Sequence, residues 1–102
     1  MYLFQILLPL YGSEGRRIAR ATFQETADNL ARKFGGVTAY MRAPAKGLWH
    51  RRGARLQRDD IVVYEVMAPS VKKAWWSQYR KVLEKRFRQE TIVIRAQKIR
   101  LF

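Results

Sequence analysis

Three segments of the chain have the composition of β-strands, and each carries apolar side chains on both of its faces. They are residues 2–8, 60–67 and 91–96. The middle segment, rich in β-branched residues, is the strongest strand signal in the sequence. Because successive side chains on a strand point to opposite faces, a sheet built from these segments is apolar on both sides. The chain's own helices can cover one face, so the sequence predicts that something else covers the second.

A first helix is predicted between the first two strands, ending near residue 34. The glycine pair that follows suits a helix end, because Gly35 accepts a left-handed cap. The pattern from Thr22 to Glu25 fits a capping box, although the helix could also begin one turn earlier, after Gly15. Its predicted apolar stripe consists of Phe23, Ala27, Leu30, Ala31 and Phe34.

A second helix is predicted before the last strand, with Ser70 as its N-cap. Trp75 and Trp76 are adjacent on it, and neighbours on a helix point about 100° apart. One of them is therefore expected in the core and the other at the sheet edge or an interface. The approximate apolar stripe consists of Val71, Trp75, Tyr79, Val82 and Phe87 or Arg86.

The remaining strand is predicted at residues 37–41. Pro44 interrupts it before it resumes at residues 47–50, and a basic loop follows at residues 51–55. The order strand, helix, strand, strand, helix, strand is that of the ferredoxin-like fold. The sequence thus predicts one α+β domain over residues 1–102, with two helices on one face of a four-stranded antiparallel sheet in the order four-one-three-two.

Three strands each carry one polar side chain near their middle, namely Gln5, Glu65 and Arg95. Beneath the helices such a group costs several kcal/mol unless it is paired, so all three are assigned to the open face. In the predicted strand order Gln5 lies between Arg95 and Glu65. Their neighbours on this face are Leu3, Leu7, Val63, Met67 and Val93.

A second copy packed face to face would bury this surface, at roughly 25 cal/mol per Å² of apolar area. The three polar side chains would then lie in a cleft between the sheets, with Tyr40 and His50 expected near its rim. A few polar groups on an apolar wall are typical of a small-molecule pocket. A plain salt bridge between Arg95 and Glu65, across the sheet or the dimer, is the simpler interpretation.

The charge of the chain favours contact with polyanions. There are 21 Lys and Arg against 8 Asp and Glu, a net charge of +13. The candidate residues are Arg51, Arg52 and Arg55 in the basic loop and Arg80 and Lys81 on the second helix. Basic residues spread along a chain are equally typical of a solvated surface. Nucleic-acid binding is therefore an alternative here and not the leading expectation.

Several kinds of site are excluded by composition. The chain has no Cys and a single His, so thiolate chemistry, disulfides and multi-His metal sites within one chain are ruled out. No glycine-rich phosphate loop or nucleophile motif is present, and neither a cofactor nor a metal is expected. No segment approaches the ~18 apolar residues of a membrane span, and the first strand lacks the features of a signal peptide. The sequence predicts a cytoplasmic protein without membrane contact.

Four motifs carry a resemblance over nearly the whole chain: FGGVTAY at residues 34–40, GLW at 47–49, DDIVV at 59–63 and RFRQE at 86–90. They resemble a small family of uncharacterised bacterial proteins with a ferredoxin-like domain. The resemblance implies that fold and no activity. By fold alone the chain is also similar to dimeric α/β-barrel proteins such as small antibiotic-biosynthesis monooxygenases.

The leading functional expectation is a binding or interaction module that forms a homodimer through the open sheet face, with a cleft for a small-molecule ligand. A cofactor-independent enzyme using the same cleft is one alternative. Polyanion binding through the Arg and Lys surface is the other.

Overall fold

The computed structural model describes residues 1–42 and 60–102, with Arg42 described by its backbone alone. His50, Arg51, Arg52 and Arg55 lie outside the described residues, as does the predicted resumption of the second strand at residues 47–50. The elements, in chain order, are β1 (Tyr2–Pro9), α1 (Arg20–Phe34), β2 (Thr38–Arg42), β3 (Ile61–Ala68), α2 (Lys73–Arg86) and β4 (Val93–Lys98).

The strands form one four-stranded antiparallel sheet in the order β2-β3-β1-β4. Counted from the β4 edge, this order is four-one-three-two. The α+β class, the two helices and the open antiparallel sheet confirm the predicted architecture. In the register, Gln5 of β1 is opposite Glu65 of β3 on one side and Arg95 of β4 on the other.

Both helices pack on the same face of the sheet. Phe4 and Ile6 of β1 are paired with Val66 and Tyr64 of β3, and all four are buried. Phe4 stacks on Trp76 of α2 with ring centroids 4.4 Å apart. On the same face, the Tyr64 hydroxyl donates to the carbonyl of Phe23 in α1, at 3.0 Å. The core therefore lies between the sheet and the two helices.

The helices begin at different residues from those predicted. Helix α1 starts at Arg20, and the N–H of Thr22 already donates to the carbonyl of Ala19. The helix therefore begins one turn earlier than the capping box predicted, and Thr22 is not the cap; it does not begin directly after Gly15, because residues 16–19 precede it. Helix α2 starts at Lys73 with Lys72 as its N-cap, so the Ser70 cap is wrong. The carbonyl of Lys72 accepts the first helical bond, from the N–H of Trp76.

The buried stripes of the helices agree with the prediction in part. On α1 Leu30 is buried, and Phe23, Ala27 and Phe34 pack against the core as predicted. On α1 Ala31 is exposed, and the 0% exposed Thr26 takes its place. On α2 Val71 and Val82 are 40% and 42% exposed. The buried side chains of α2 and the turn after it are Trp76, Tyr79, Leu83 and Phe87. Of the two tryptophans, Trp76 is the core residue and Trp75 is half-buried. This agrees with the expectation that adjacent residues on a helix, which point about 100° apart, cannot both face the core.

The end of α1 agrees with the sequence prediction. Gly35 has φ 86°, and its N–H donates to the carbonyl of Ala31 at 2.8 Å. No helix within residues 1–42 and 60–102 is long and apolar enough to cross a membrane.

Candidate functional site

A chain of hydrogen-bonded polar side chains crosses the face of the sheet opposite to the helices, called here the open face. It contains one residue from each strand: Arg95 of β4, Gln5 of β1, Glu65 of β3 and Tyr40 of β2. The pairing register places the first three side by side. Tyr40 is opposite Val63, which is two residues before Glu65 on β3 and on the same face. We call these four residues the polar chain.

The distances within the polar chain are those of direct hydrogen bonds. Arg95 Nε donates to Gln5 Oε1 at 2.9 Å, and Gln5 Nε2 donates to Glu65 Oε2 at 2.7 Å. The hydroxyl of Tyr40 donates to the same Glu65 oxygen at 3.0 Å. Because hydrogen bonds to charged groups are the stronger class, the guanidinium and the carboxylate hold the amide of Gln5 in one orientation.

Within one copy, Arg95 and Glu65 do not form a direct salt bridge across the sheet, which is one of the two forms of the simpler interpretation; a salt bridge across a dimer stays a prediction. They lie on strands that flank β1, so their backbones are about 9.6 Å apart. The salt bridges among the described residues instead join Arg80 to Glu84 and Arg86 to Glu25. Gln5 connects the two charges by accepting from one and donating to the other.

The apolar part of the open face is covered unevenly. Val63, between Leu7 and Tyr40 on neighbouring strands, is only 1% exposed, whereas Leu3 and Leu7 are half-buried. Met67 and Val93 are 47% and 48% exposed. The centre of the open face therefore exposes less apolar surface than the sequence indicated. The exposed apolar side chains lie towards the strand ends.

Chemically, the open face offers a cation, a carboxylate and a phenol hydroxyl in one line on an apolar surface. Such a line provides donors at the Arg95 end and an acceptor at Glu65. The structure thus brings together four of the five predicted cleft residues, Gln5, Glu65, Arg95 and Tyr40. The fifth, His50, lies outside the described residues.

Two phenols on the helix side of the sheet have shifted pKa values. Burial, and to a lesser extent the neighbouring Tyr79, raises the pKa of Tyr64 above its ordinary value. Burial also raises the pKa of Tyr79, with the positive charge of Arg86 opposing the shift. Neither phenol faces the polar chain, so neither is assigned to the candidate site.

The predicted polyanion residues that are described do not form a cluster with a cavity. Arg80 lies 3.9 Å from Glu84 on the same helix, and Lys81 is exposed. Arg51, Arg52 and Arg55 lie outside the described residues. No group of His, Asp and Glu within the described ranges could hold a metal ion.

Two cavities on the helix side were not predicted. The larger, about 340 Å³, is lined by Arg16, Arg17, Arg86 and Arg88, and we call it the arginine cavity. The smaller, about 230 Å³, has the two tryptophans of α2 in its wall. The sequence shows the arginines near Gly12–Gly15 and at the end of α2, but it does not show that these segments meet.

Comparisons with known proteins leave the site without an assigned activity. No protein-family model, no curated protein and no solved structure matches this chain.

Proposed function

We propose that the protein is a self-associating binding module of ferredoxin-like type, in which two copies pack through their open faces as in dimeric α/β-barrel proteins. The observation that carries the proposal is the polar chain. It is hydrogen-bonded from edge to edge, charge-balanced, and set in an apolar surface of a strongly basic protein.

Charge favours the open face over other surfaces as a contact between identical copies. A chain of net charge +13 repels a second copy wherever both present Lys and Arg. Among the described side chains of the open face, the charged ones are Glu65 and Arg95, one of each sign. Arg42 is at the edge of this face, at the register position opposite Ile61. Contact through the open face therefore still brings fewer like charges together than contact through the Lys- and Arg-rich helix surfaces would.

The positions of the two charges also favour one arrangement of the dimer. Arg95 and Glu65 lie at equal strand spacings on either side of Gln5. A two-fold axis running along β1, between the two sheets, would place Arg95 of one copy over Glu65 of the other. An axis across the strands would place Arg95 over Arg95 and Glu65 over Glu65, and such like-charge contacts are unfavourable.

The size of the face suits a small but specific interface. β1 and β3 have 8 residues each, so the face is about 26 Å long, and four strands make it about 19 Å wide. Because β2 and β4 have only 5 and 6 residues, the projected area is about 430 Å² per copy, and the side chains that project from the sheet add to the accessible area. Small specific interfaces bury about 600 Å² per partner.

In this dimer the polar chain lines the space between the two sheets. A ligand for that space would be a small molecule with an acceptor for Arg95 and a donor for Glu65, held on an apolar floor. Catalysis by this cleft stays a prediction of the sequence.

The test is the mass of the protein in solution, measured by sedimentation equilibrium at micromolar concentration. The wild type is expected at twice the 12.1 kDa of one chain. Val93→Lys adds a charge to the open face and is expected to give monomers. Val82→Lys is the matched control, because Val82 has a similar exposure, 42% against 48%, but lies on α2. It is expected to leave the dimer intact.

A monomeric wild type would refute the proposal directly. A dimer that withstands Val93→Lys, or one that dissociates with Val82→Lys instead, would place the contact on another surface and refute it equally.

A further inference from the structure

The arginine cavity lies away from the open face, so a ligand bound in it does not depend on the dimer. Its wall is formed by the turn after β1, the start of α1 and the end of α2. Four arginines line it against one carboxylate, that of Glu14. A volume of about 340 Å³ is within the range of small-molecule sites, roughly 300–1,000 Å³.

Arg86 is already engaged in holding the two helices together. Its Nη1 donates to Thr26 Oγ1 at 2.9 Å, and its Nη2 lies 3.5 Å from Glu25 Oε2. Its side chain is 17% exposed. Arg86 therefore forms part of the cavity wall and adds positive charge there, but its donors are largely used.

Arg16, Arg17 and Arg88 differ from Arg86 in being exposed at the cavity. The salt bridges in the described part of the chain involve none of these three. Their guanidinium groups thus have donors that an anion can use. Three cations around one concave surface raise the local positive potential, and that potential attracts anions.

The backbone that carries Arg16 and Arg17 is held in place. Gly12 N–H donates to the carbonyl of Arg16 at 2.8 Å, and Ile18 N–H donates to that of Leu10 at 2.9 Å. Tyr11 and Arg17 form a β-bridge between these two bonds. A ligand that binds here orders the side chains of Arg16 and Arg17 but not their backbone, which limits the entropy lost on binding.

The start of α1 adds to the same potential. Its N-cap, Ala19, makes no side-chain capping bond, and the first turn contains no acidic residue. Ala19 and Thr22 both line the cavity. The unpaired N–H groups and the partial positive charge of a helix start favour an anion beside them.

Arg88 occupies a position at which the backbone favours glycine. It follows α2 with φ 55°, its N–H donates to the carbonyl of Lys85, and Gln89 N–H donates to that of Glu84. These two bonds define a Schellman motif, whose left-handed residue is usually Gly. Arginine at this position costs backbone strain that glycine would not, so the fold alone does not explain why the side chain is at the cavity.

We propose that the arginine cavity binds a small phosphorylated molecule, with Arg16, Arg17 and Arg88 neutralising its phosphoryl group. Arginine suits this ligand because its planar fork of donors matches phosphate oxygens in pairs. The cavity size favours a phosphomonoester or diphosphate of up to nucleotide size over an extended polyanion, which needs a groove or a flat basic surface.

The experiment is a titration of the full chain followed by amide NMR at low ionic strength. The probes are pyrophosphate, a nucleoside monophosphate and a short single-stranded oligonucleotide. Pyrophosphate or the monophosphate is expected to shift resonances of residues 12–22 and 87–89. The two small probes distinguish a site for the phosphoryl group alone from one that also holds the organic part.

Arg88→Gly separates a binding role from a structural one. It is expected to raise the thermal unfolding midpoint, because glycine suits the left-handed position, and to weaken binding at least tenfold. Arg16→Ala is expected to weaken binding similarly. The charge-matched control is Arg32→Gln, which lies about 18 Å along α1 from Arg20 and is expected to change affinity less than twofold.

Three results would overturn the proposal. One is the absence of shifts with both small phosphates at low salt. Another is an equal loss of affinity in Arg88→Gly, Arg16→Ala and Arg32→Gln, which would indicate attraction to net charge alone. The third is binding of the oligonucleotide without binding of pyrophosphate or the monophosphate, which would indicate an extended polyanion surface.

Discussion

The contact between Thr26 and Arg86 joins α1 to α2 and allows a quantitative test of how the helices are held together. Thr26 is 0% exposed; its Oγ1 donates to the Thr22 carbonyl at 3.0 Å and accepts from Arg86 Nη1 at 2.9 Å. Thr26→Val keeps the shape of the side chain and has nearly the same helix propensity. The substitution therefore removes the hydrogen bonds and little else.

The expected loss comes mainly from the bond to the guanidinium. Hydrogen bonds to charged groups contribute about 1.5–3 kcal/mol, and a donor left without its acceptor in a half-buried place loses a similar amount. We therefore expect Thr26→Val to lower the free energy of unfolding by about 2 kcal/mol. For a domain of this size that corresponds to about 8–16 °C in the unfolding midpoint.

The assay is a double-mutant cycle of Thr26→Val with Arg86→Met, followed by urea denaturation. The cycle isolates the pair, and its coupling energy is expected at about 1.5–3 kcal/mol. Glu25→Gln is the control, since Glu25 is 60% exposed in its contact with Arg86 and such pairs contribute about 0–1 kcal/mol. A coupling below about 0.5 kcal/mol would refute the reasoning, because water would then be replacing the Thr26 hydroxyl.

Two further predictions concern the cap of α1 and the response to high pH. Gly35→Ala should lower the free energy of unfolding by about 1–2 kcal/mol because φ is 86°; no atom lies within 4 Å of the added Cβ, so the cost comes from the backbone conformation alone. Gly36→Ala is the control, because Gly36 also has open space but no positive φ, and it should change stability by no more than about 0.5 kcal/mol in thermal denaturation. Since burial raises the pKa of Tyr64 in the folded state, its contribution to stability is fully present below the unfolded pKa of 10.0 and is lost as the pH rises above it. Tyr64→Phe should therefore reduce the loss of stability in denaturation series from pH 8 to 11; an unchanged slope would contradict the assignment.

The polar chain is the part of the candidate site that the sequence predicted best. Gln5, Glu65 and Arg95 are polar residues in strands whose other residues are mostly apolar, and alternation along a strand assigns such residues to one face. The strand order then makes them neighbours. What the sequence did not show is the order of the hydrogen bonds. Gln5 keeps Arg95 and Glu65 apart, because β1 lies between their strands.

The helix starts were harder to predict, since both true N-caps lack a side-chain capping bond. Ala19 and Lys72 carry no cap signal, whereas Thr22 and Ser70 do carry one and lie within three residues of the true starts. The first residue of each helix is therefore not marked by a capping side chain. Helix α2 presents Trp76, Tyr79 and Leu83 to the sheet, and that face differs from the stripe that the sequence suggested.

The sequence by itself determined the number and order of the strands and helices and which side chains share each face of the sheet. These properties come from periodicity, which is a local property of the chain. The tertiary structure alone decided which side chains of the second face are buried and where the positive charge is concentrated. Val63 is buried at the centre of the open face, and Arg16 and Arg17 share a cavity with Arg88. Both depend on contacts between segments far apart in the chain, which no local pattern encodes.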